Sequence, residues 1–523
     1  MTIKELLESR AEKDGDKTFV YFEDQVINFA DFDKRVNKAA DMMRGLGIKK
    51  GDNVLLFIPN CPEFLYLWFA LAKIGGVMVP LNVHLRGDAL KYIINHCQAK
   101  YIFVSEALYD PYAFVETDLE NIQQRVYISE SAAPPEKFEL LKDLLAAADD
   151  KAPPTLDIAD KDPLGIIYTS GTTGPPKGAM ISHFNYLNSG HVYAHDIVNV
   201  RDDDIFFTTL PLFHANAQMF TTMGAMRSAR PYVLRPRFSA SRFFDELRQY
   251  KATVFNYIGG MLAMILNQPP RDDDADNPVR YTVGGGAPAP LIEAFEKRFN
   301  LTILEGYGLT ESGGVSLCNT PGDKRLGSIG KSVRHCDCAV WDEDNKEVKP
   351  GDQGEIVCRE NVPYSMFLGY YNQLDKTEEA YKGGWFHTGD RGYMDEDGFF
   401  YFVDRVKDCI RRRGENISSF QVEKVVNSHP KVVESAAVAV PSELGEDEVK
   451  IFVVLKPGEE LDPAELLAYC EERMGYFMVP RFVEYLKEFP KTATERVQKF
   501  ELRKKGIGDA WDREKAGYKL KRV

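Results

Sequence analysis

The length, composition and charge of the chain exclude several classes of protein. Its 523 residues are too many for one hydrophobic core, so we expect at least two domains. Hydrophobic residues make up 44% and charged residues 28%, which excludes global disorder. The net charge of −14 disfavours binding to the phosphate backbone of nucleic acids, although one small nucleotide site needs only local dipoles and a cation.

The N-terminal part alternates helix and strand signals. Val54–Ile58 is a continuous apolar run, and similar runs follow at Val77–Val79 and Tyr101–Val104. A helical pattern at Pro62–Lys73 lies between the first two runs. Strands that are apolar throughout and separated by helices are typical of a parallel sheet covered on both faces. The pattern therefore predicts the α/β class, with parallel-type sheets covered by helices in a large, layered N-terminal domain.

The C-terminal part has a different texture. From Gly383 to Tyr401 short strands, turns and aromatic residues predict a small β-rich part. After Asp404 the pattern predicts a helix from Phe420, a strand at Ala436–Val440, a helix at Pro463–Arg473 and a strand at Arg481–Leu486. We therefore expect a large domain at 1–403, a boundary at Asp404 and a small α+β domain at 405–523.

The cysteines and the N-terminus predict a reduced cytoplasmic protein. Eight cysteines are scattered along the chain, and the closest two, Cys336 and Cys338, are separated by one residue. A zinc site usually combines a C-x₂₋₄-C pair with a second ligand pair, which the spacing does not offer. The most apolar stretch, Phe64–Leu71, is far shorter than a membrane span, and no signal peptide precedes it.

A loop rich in hydroxyls and glycines follows the predicted strand Leu164–Ile167. Glycines let successive N–H groups point into one concavity, hydroxyls add donors and a lysine adds a full charge, which suits a polyphosphate. The loop is not a Walker loop, because Gly178 follows the lysine. The residues predicted to bind phosphate are Thr169, Ser170, Gly171, Thr172, Thr173, Gly174 and Lys177.

Six further segments occur along the chain in a fixed order: Leu210–His214, Gly284–Pro288, Glu305–Glu311, Thr388–Asp390, Asp404–Asp408 and Arg413–Ile417. Together with the loop they resemble the successive motifs of the adenylate-forming superfamily, which contains acyl-CoA synthetases, peptide-synthetase adenylation domains and luciferases. The resemblance runs from Thr18 to Arg503. One such motif can arise by chance, but seven in order do not.

The resemblance implies a role for each residue of the nucleotide site. Glu311 is implied as the Mg²⁺ ligand, with Thr310 donating to the α-phosphate. Tyr307 is implied to stack on adenine, and Asp390 to accept from the ribose hydroxyls with help from Arg405. The other residues assigned to the ATP site are Gly285, Gly286, Ala287, Pro288, Glu305, Gly306 and Gly308.

The resemblance also implies an acyl pocket, a hinge and a CoA-binding loop. His214 is implied to gate or orient at the junction of the carboxylate and thiol tunnels, and Asp404 to act as the hinge of a mobile lid domain. The acyl pocket is assigned to His214, Gln218, Met219, Ile258, Gly259, Gly284, Gly313 and Gly314. The basic loop from Arg411 is implied to face CoA, and the residues assigned to it are Arg413, Gly414, Glu415 and Asn416.

The C-terminal signature departs from the family pattern. The family places a lysine after Ser/Thr-Gly, whereas this chain has Glu495 and Arg496 at the glycine and lysine positions. Arg496 can still bridge a carboxylate and a phosphate, and Lys499 is a second candidate cation. The catalytic residues are therefore predicted as Glu311, Thr310 and His214 together with either Arg496 or Lys499.

The function that the resemblance implies is an AMP-forming acid–CoA ligase. The acid and ATP give an acyl-adenylate and pyrophosphate, and CoA then displaces AMP. The loop and tail resemble those of fatty-acyl or carnitine-type CoA ligases. Two alternatives stay open: an adenylating enzyme with another acceptor, such as a carrier-protein thiol or oxygen, and a nucleotide- and acyl-binding regulator without turnover. The acid, whether aliphatic, aromatic or betaine-like, and a homodimeric state are also left open.

Overall fold

The computed structural model describes residues 1–154, 156–169, 175–405, 410–412, 415–417, 419–441, 447–474, 478–491 and 496–520. At positions 404, 405, 411, 415, 416 and 421 the description covers the backbone only. Among the predicted site residues, 170–174, Arg413 and Gly414 lie outside the described residues, as do the side chains of Asp404, Arg405, Glu415 and Asn416.

The strands of the described chain are, in order, β1 (Thr18–Phe22), β2 (Gln25–Asn28), β3 (Asn53–Phe57), β4 (Val77–Pro80), β5 (Tyr101–Ser105), β6 (Gln124–Ile128), β7 (Glu139–Leu140), β8 (Pro163–Thr169), β9 (Lys177–Ser182), β10 (Phe206–Thr208), β11 (Tyr232–Leu234), β12 (Val254–Ile258), β13 (Tyr281–Gly285), β14 (Thr302–Tyr307), β15 (Leu317–Cys318), β16 (Lys331–Ser332), β17 (Cys336–Trp341), β18 (Gly354–Glu360), β19 (Tyr381–Lys382), β20 (Trp385–Met394), β21 (Phe400–Arg405), β22 (Ile410–Arg412), β23 (Glu415–Ile417), β24 (Val432–Pro441), β25 (Asp447–Leu455), β26 (Phe482–Tyr485) and β27 (Trp511–Asp512).

The α-helices are α1 (Ile3–Lys13), α2 (Phe29–Gly45), α3 (Pro62–Ile74), α4 (Gly87–His96), α5 (Tyr109–Val115), α6 (Leu141–Ala147), α7 (His183–His191), α8 (Met223–Ser228), α9 (Phe243–Tyr250), α10 (Gly259–Leu266), α11 (Ala289–Phe299), α12 (Leu374–Ala380), α13 (Ser419–Asn427), α14 (Pro463–Glu471) and α15 (Lys499–Lys504). Two π-helical segments extend or precede helices, at Val192–Ile197 and Asn216–Thr222, and short 3₁₀ turns lie at Glu106–Leu108 and Glu116–Asp118.

Two large sheets form the N-terminal part. One has the order β7-β6-β5-β3-β4-β8-β9, and the other has the order β16-β15-β14-β13-β12-β10-β11-β1-β2. Their central strands pair in parallel, and antiparallel strands are confined to the edges. The predicted α/β class with parallel-type sheets is therefore confirmed.

Helices and sheets bury a shared core. Trp68 of α3 belongs to one large hydrophobic cluster with Leu56 of β3 and Phe207 of β10, so the helix and both large sheets share one core. On the other face of β3, Leu55 packs with Leu90 of α4 and a second cluster. This double coverage explains why the strand reads as a continuous apolar run and not as an alternation.

A smaller antiparallel sheet, β17-β18-β20-β19 with β21 beside β20, follows the two large ones. The C-terminal part forms a four-stranded sheet, β24-β25-β26-β27, with α13, α14 and α15 packed around it. The predicted helix Pro463–Arg473 is two residues too long, because α14 ends at Glu471.

The backbone of Asp404 pairs with Arg391 of β20, so the predicted boundary residue lies inside a strand of the large part. The domain limits at 403 and 405 stay predictions. Among the described residues, no helix combines the length and apolarity that crossing a bilayer requires.

Candidate active site

The two strands that flank the phosphate loop bring Thr169 and Lys177 together. β8 ends at Thr169 and β9 begins at Lys177, and these two residues are direct partners in the antiparallel register. The Thr169 hydroxyl donates to Glu311 Oε1 over 3.0 Å. Glu311 is buried, although it lies 142 positions further along the chain. The structure therefore joins the ends of the phosphate loop to the carboxylate predicted to hold Mg²⁺.

Tyr370 completes this group and is a residue that sequence reasoning missed. Its hydroxyl donates to Glu311 Oε1 over 3.0 Å, and its ring centroid lies 4.1 Å from Lys177 Nζ. Burial and the Glu311 carboxylate raise the pKa of Tyr370 above its usual range, so the phenol remains a donor. Tyr370 thereby fixes both the acid and the lysine of the predicted phosphate site. An aromatic residue outside the family motifs gave no signal for this role.

Glu305 supports the segment Gly285–Pro288, which the resemblance assigns to the ATP site. Its carboxylate accepts from the backbone N–H groups of Gly286 (2.6 Å) and Ala287 (3.0 Å) and from the hydroxyl of Tyr257. Burial raises the pKa of Glu305 to about 7, against the opposing effect of these hydrogen bonds. The side chain predicted to bind ATP is thus turned toward the Gly286–Ala287 backbone, which it holds in place.

Tyr307 and Asp390, which the resemblance assigns to adenine and ribose, lie together in the structure. The Tyr307 hydroxyl donates to Asp390 Oδ2 over 2.6 Å, and Asp390 is buried. The backbone N–H of Asp390 donates to the hydroxyl of Thr388 over 3.1 Å. Arg405 is the register partner of Asp390 on the neighbouring strand. Tyr307, at the end of β14, and Asp390, in the middle of β20, are therefore held side by side.

Close backbone approach explains the glycines that line this region. A side-chain carbon on Gly308 would meet the carbonyl oxygen of Gly314 at 2.1 Å. On Gly259 it would meet the carbonyl oxygen of Gly286 at 2.1 Å, and on Gly284 that of Tyr257 at 2.2 Å. Real carbon atoms do not approach oxygen so closely, so these positions require glycine.

The residues assigned to the acyl pocket are only partly brought together. Met219 Sδ would lie 3.0 Å from a side-chain carbon on Gly314, so these two residues are neighbours. Gln218 is buried, its amide donates to the carbonyl of Leu212, and its side-chain oxygen accepts from Tyr186 over 2.6 Å. These bonds hold the Gln218 amide in the core. Ile258 is exposed.

His214 and Arg496 are close enough to interact electrostatically. Burial lowers the pKa of His214 to about 4, and the positive charge of Arg496 lowers it further. His214 is therefore neutral at physiological pH. The two residues belong to different parts of the chain, since Leu210–His214 follows β10 and Arg496 precedes α15. The C-terminal part therefore brings its motif arginine toward the site built by the N-terminal part.

Lys499, the second candidate cation, is bound within the C-terminal part. Its Nζ lies 2.8 Å from Glu423 Oε1, and both side chains are mostly buried. It also donates to the hydroxyl of Ser419 over 2.6 Å. Lys499 thus ties α15 to α13, whereas Arg496 is exposed on the segment before α15.

Of the basic segment implied to face CoA, the structure describes the side chain of Arg412. Arg412 is buried and forms an ion pair with Glu448 at 2.7 Å, so its charge is used inside the C-terminal part. The interpretation that Arg412 faces the CoA nucleotide is therefore not supported by its position. Arg413 and Gly414, and the side chains of Glu415 and Asn416, lie outside the described residues.

Comparison with known proteins agrees with this geometry. Residues 7–371 match the AMP-binding enzyme family, and residues 421–496 match the AMP-binding enzyme C-terminal domain. A protein of Proteus mirabilis named crotonobetaine/carnitine–CoA ligase is 35% identical over 96% of this chain and 98% of its own length.

Two solved structures share the fold. The anthranilate CoA ligase in complex with anthranoyl-AMP is 26% identical, with a TM-score of 0.86 over 96% of this chain and 97% of that chain. The ATP-bound MatB from Rhodopseudomonas palustris is 26% identical, with a TM-score of 0.84 over 99% of this chain and 100% of that chain. The predicted fold and the predicted class of AMP-forming acyl-CoA ligase are confirmed, and the chain belongs to the AMP-binding enzyme family.

Proposed function

We propose that this chain activates a small carboxylic acid with Mg·ATP and transfers the acyl group to CoA. The observation that carries the proposal is the convergence of Thr169, Lys177, Glu311 and Tyr370 on one side, and of Tyr307 and Asp390 on the other. The first group supplies hydroxyls, a cation and a carboxylate for the phosphates. The second supplies an aromatic ring and a carboxylate for the nucleoside. Attack of the acid on the α-phosphorus gives the acyl-adenylate, and pyrophosphate leaves.

The residues present fit a magnesium ion. Glu311 offers a buried carboxylate oxygen, the kind of hard ligand that Mg²⁺ prefers in nucleotide sites, and Thr169 and Tyr370 orient it. When bound, the ion would neutralise charge on the ATP phosphates. Lys177 would add a second positive charge on the same side.

Arg496 is our candidate for the cation that stabilises the adenylation transition state. Its proximity to His214 favours it, and the engagement of Lys499 with Glu423 disfavours the rival. A guanidinium can bridge the attacking carboxylate and the α-phosphate with two parallel hydrogen bonds. Charge held in place before the reaction contributes most to such a step. Neutral His214 would orient the acid and would not compete for its negative charge.

The second half-reaction is assigned to the C-terminal part as a mobile lid, hinged at Asp404. CoA sulfur attacks the acyl carbon and AMP leaves with the phosphate oxygen. Arg413, Gly414, Glu415 and Asn416 are proposed to face the CoA, on the resemblance alone. A cytoplasmic location is consistent with these substrates. A homodimer is left to measurement.

A betaine-like acid is the first substrate to test, because the Proteus mirabilis relative is named crotonobetaine/carnitine–CoA ligase and its match covers 96% of this chain. The experiment is a panel of betaine-like, short aliphatic and aromatic acids, scored by AMP formation that depends on both acid and CoA. Acid-dependent exchange of pyrophosphate without CoA-dependent AMP release would favour another acceptor. Binding of ATP without either reaction would favour a regulator that lacks turnover.

A further inference from the structure

Three cysteines from two neighbouring strands meet at one place in the five-stranded sheet. Cys338 of β17 is the direct register partner of Cys358 of β18, and Cys336 lies two residues before Cys338, on the same face. Their sulfur atoms are 3.9 Å apart for Cys336–Cys338 and 3.7 Å apart for Cys338–Cys358, and all three lie within 4.8 Å of one another. None of the cysteines in the described chain forms a disulfide.

These distances match the spacing of sulfur ligands around a metal ion. A zinc–sulfur bond of about 2.3 Å in a tetrahedron places two sulfurs about 3.8 Å apart. A disulfide would instead require about 2.0 Å and would use only two of the three thiols. The third sulfur, which lies within 4.8 Å of the other two, therefore favours a metal over a disulfide. Cys336 and Cys358 are fully buried and Cys338 is half-buried, so the sulfurs are largely shielded from solvent.

Oxygen atoms lie beside the three sulfurs. The Cys338 thiol lies 3.7 Å from the carbonyl oxygen of Ser316, whose hydroxyl is also close to Cys336 and Cys358.

We propose that Cys336, Cys338 and Cys358 bind one soft d¹⁰ metal ion, with zinc as the ion to test, and that Ser316 or a water occupies the fourth position. Binding of Zn²⁺ by the three cysteines requires three thiolates, so the protons that the thiols carry are released to solvent. His335 is not a ligand. It precedes β17 and is not part of the group of three sulfurs, and its Nε2 would be 3.1 Å from a side-chain carbon on Gly313.

The position of the site suggests what the metal would stabilise. β18 pairs with β20, which carries Asp390, and Cys358 is close enough to Tyr307 to raise the pKa of its phenol. A metal would therefore cross-link β17 to β18 beside the strand that carries Asp390. Because the ligands come from the sheet and not from the nucleotide site, this binding is separate from the Mg²⁺ proposed at Glu311.

The test uses the full-length chain, reduced and stripped of metal with a chelator. The wild type should bind one zinc ion per chain, measured by mass spectrometry of metals and by competition with a chromogenic chelator. Cys358→Ala should weaken binding by more than about 100-fold, since even outer-shell changes cost about 10- to 100-fold. Cys97→Ala is the matched control, because Cys97 is equally buried and lies in another sheet's core.

Cobalt provides a second measurement that does not depend on any variant. Co²⁺ bound by three thiolates should give the intense charge-transfer absorption of sulfur–cobalt bonds in the wild type, and zinc should abolish it. The proposal is overturned if the reduced wild type binds no zinc or cobalt. It is equally overturned if Cys97→Ala and Cys358→Ala lose the metal alike.

Discussion

Replacement of Arg496 and of Lys499 by alanine should produce opposite effects on catalysis and stability. The charge of Arg496 helps to lower the pKa of His214, so it acts close to the residue proposed to orient the acid. Loss of one preorganised charge-stabilising group typically costs about 10²- to 10³-fold in rate. We therefore expect Arg496→Ala to slow acid-dependent pyrophosphate exchange by about 10²-fold or more, with little change in melting temperature.

Lys499→Ala should chiefly reduce stability. The lysine is 16% exposed and its partner Glu423 is 14% exposed, so their ion pair lies between the surface and buried cases. Exposed pairs contribute about 0–1 kcal/mol, whereas breaking a buried pair costs about 3–5 kcal/mol. We therefore expect an intermediate cost of about 2 kcal/mol in the free energy of unfolding. For the C-terminal domain predicted at 405–523, this lowers the melting temperature by roughly 6 °C. Pyrophosphate exchange by the folded variant should be nearly unchanged.

Two assays separate these effects. Pyrophosphate exchange measures adenylation, and differential scanning calorimetry measures stability. Arg496→Lys is the matched control and should retain part of the exchange rate, because it keeps the positive charge but loses the two-pronged guanidinium. NMR of labelled histidines adds an independent readout, since Arg496→Ala should raise the pKa of His214. The reasoning fails if Arg496→Ala is silent while folded Lys499→Ala is inactive in exchange.

Four further results are expected. Glu311→Gln should slow pyrophosphate exchange by more than about 10-fold, as loss of a metal ligand exceeds the loss of an outer-shell group; normal exchange would remove this residue from the metal site. Gly414→Ile should leave adenylate formation intact and slow acyl transfer to CoA in single-turnover assays, and an equal loss in both steps would indicate a structural role instead. Gly308→Ala should destabilise by about 1–3 kcal/mol in chemical denaturation because a carbonyl oxygen lies 2.1 Å from the added carbon, whereas Gly260→Ala, with no atom within 4 Å, should be tolerated. Stability should fall as the pH decreases from 6.5 toward 4. Burial lowers the pKa of His183 to about 4, so the unfolded chain takes up a proton on this histidine at a higher pH than the folded chain does. His183→Gln should reduce the dependence of the melting temperature on pH.

Local sequence predicted the elements of this fold well. The continuous run Val54–Ile58 corresponds to β3, and the helical pattern from Pro62 corresponds to α3, because proline at the helix start and glycine at its end mark the limits. The order of the motifs also indicated which segments build the nucleotide site. Both kinds of signal are carried by neighbours in sequence.

Contacts between distant segments were not predictable in the same way. Tyr370 reaches Glu311 across 59 positions, and Arg412 finds Glu448 through the packing of β22 against β25. The third cysteine, Cys358, joins Cys338 only through the register of β17 and β18. A change of one residue in that register would turn Cys358 to the opposite face. Spacing along the chain therefore hid a cluster that the sheet assembles.

The most direct test of the proposed reaction is to follow the oxygen atoms of the acid. The substrate carboxylate is labelled with oxygen-18 and incubated with ATP, Mg²⁺, CoA and the wild-type chain. Attack of the carboxylate on the α-phosphorus predicts that AMP carries one labelled oxygen and that pyrophosphate carries none. Unlabelled AMP, or label in inorganic phosphate together with ADP, would contradict the account.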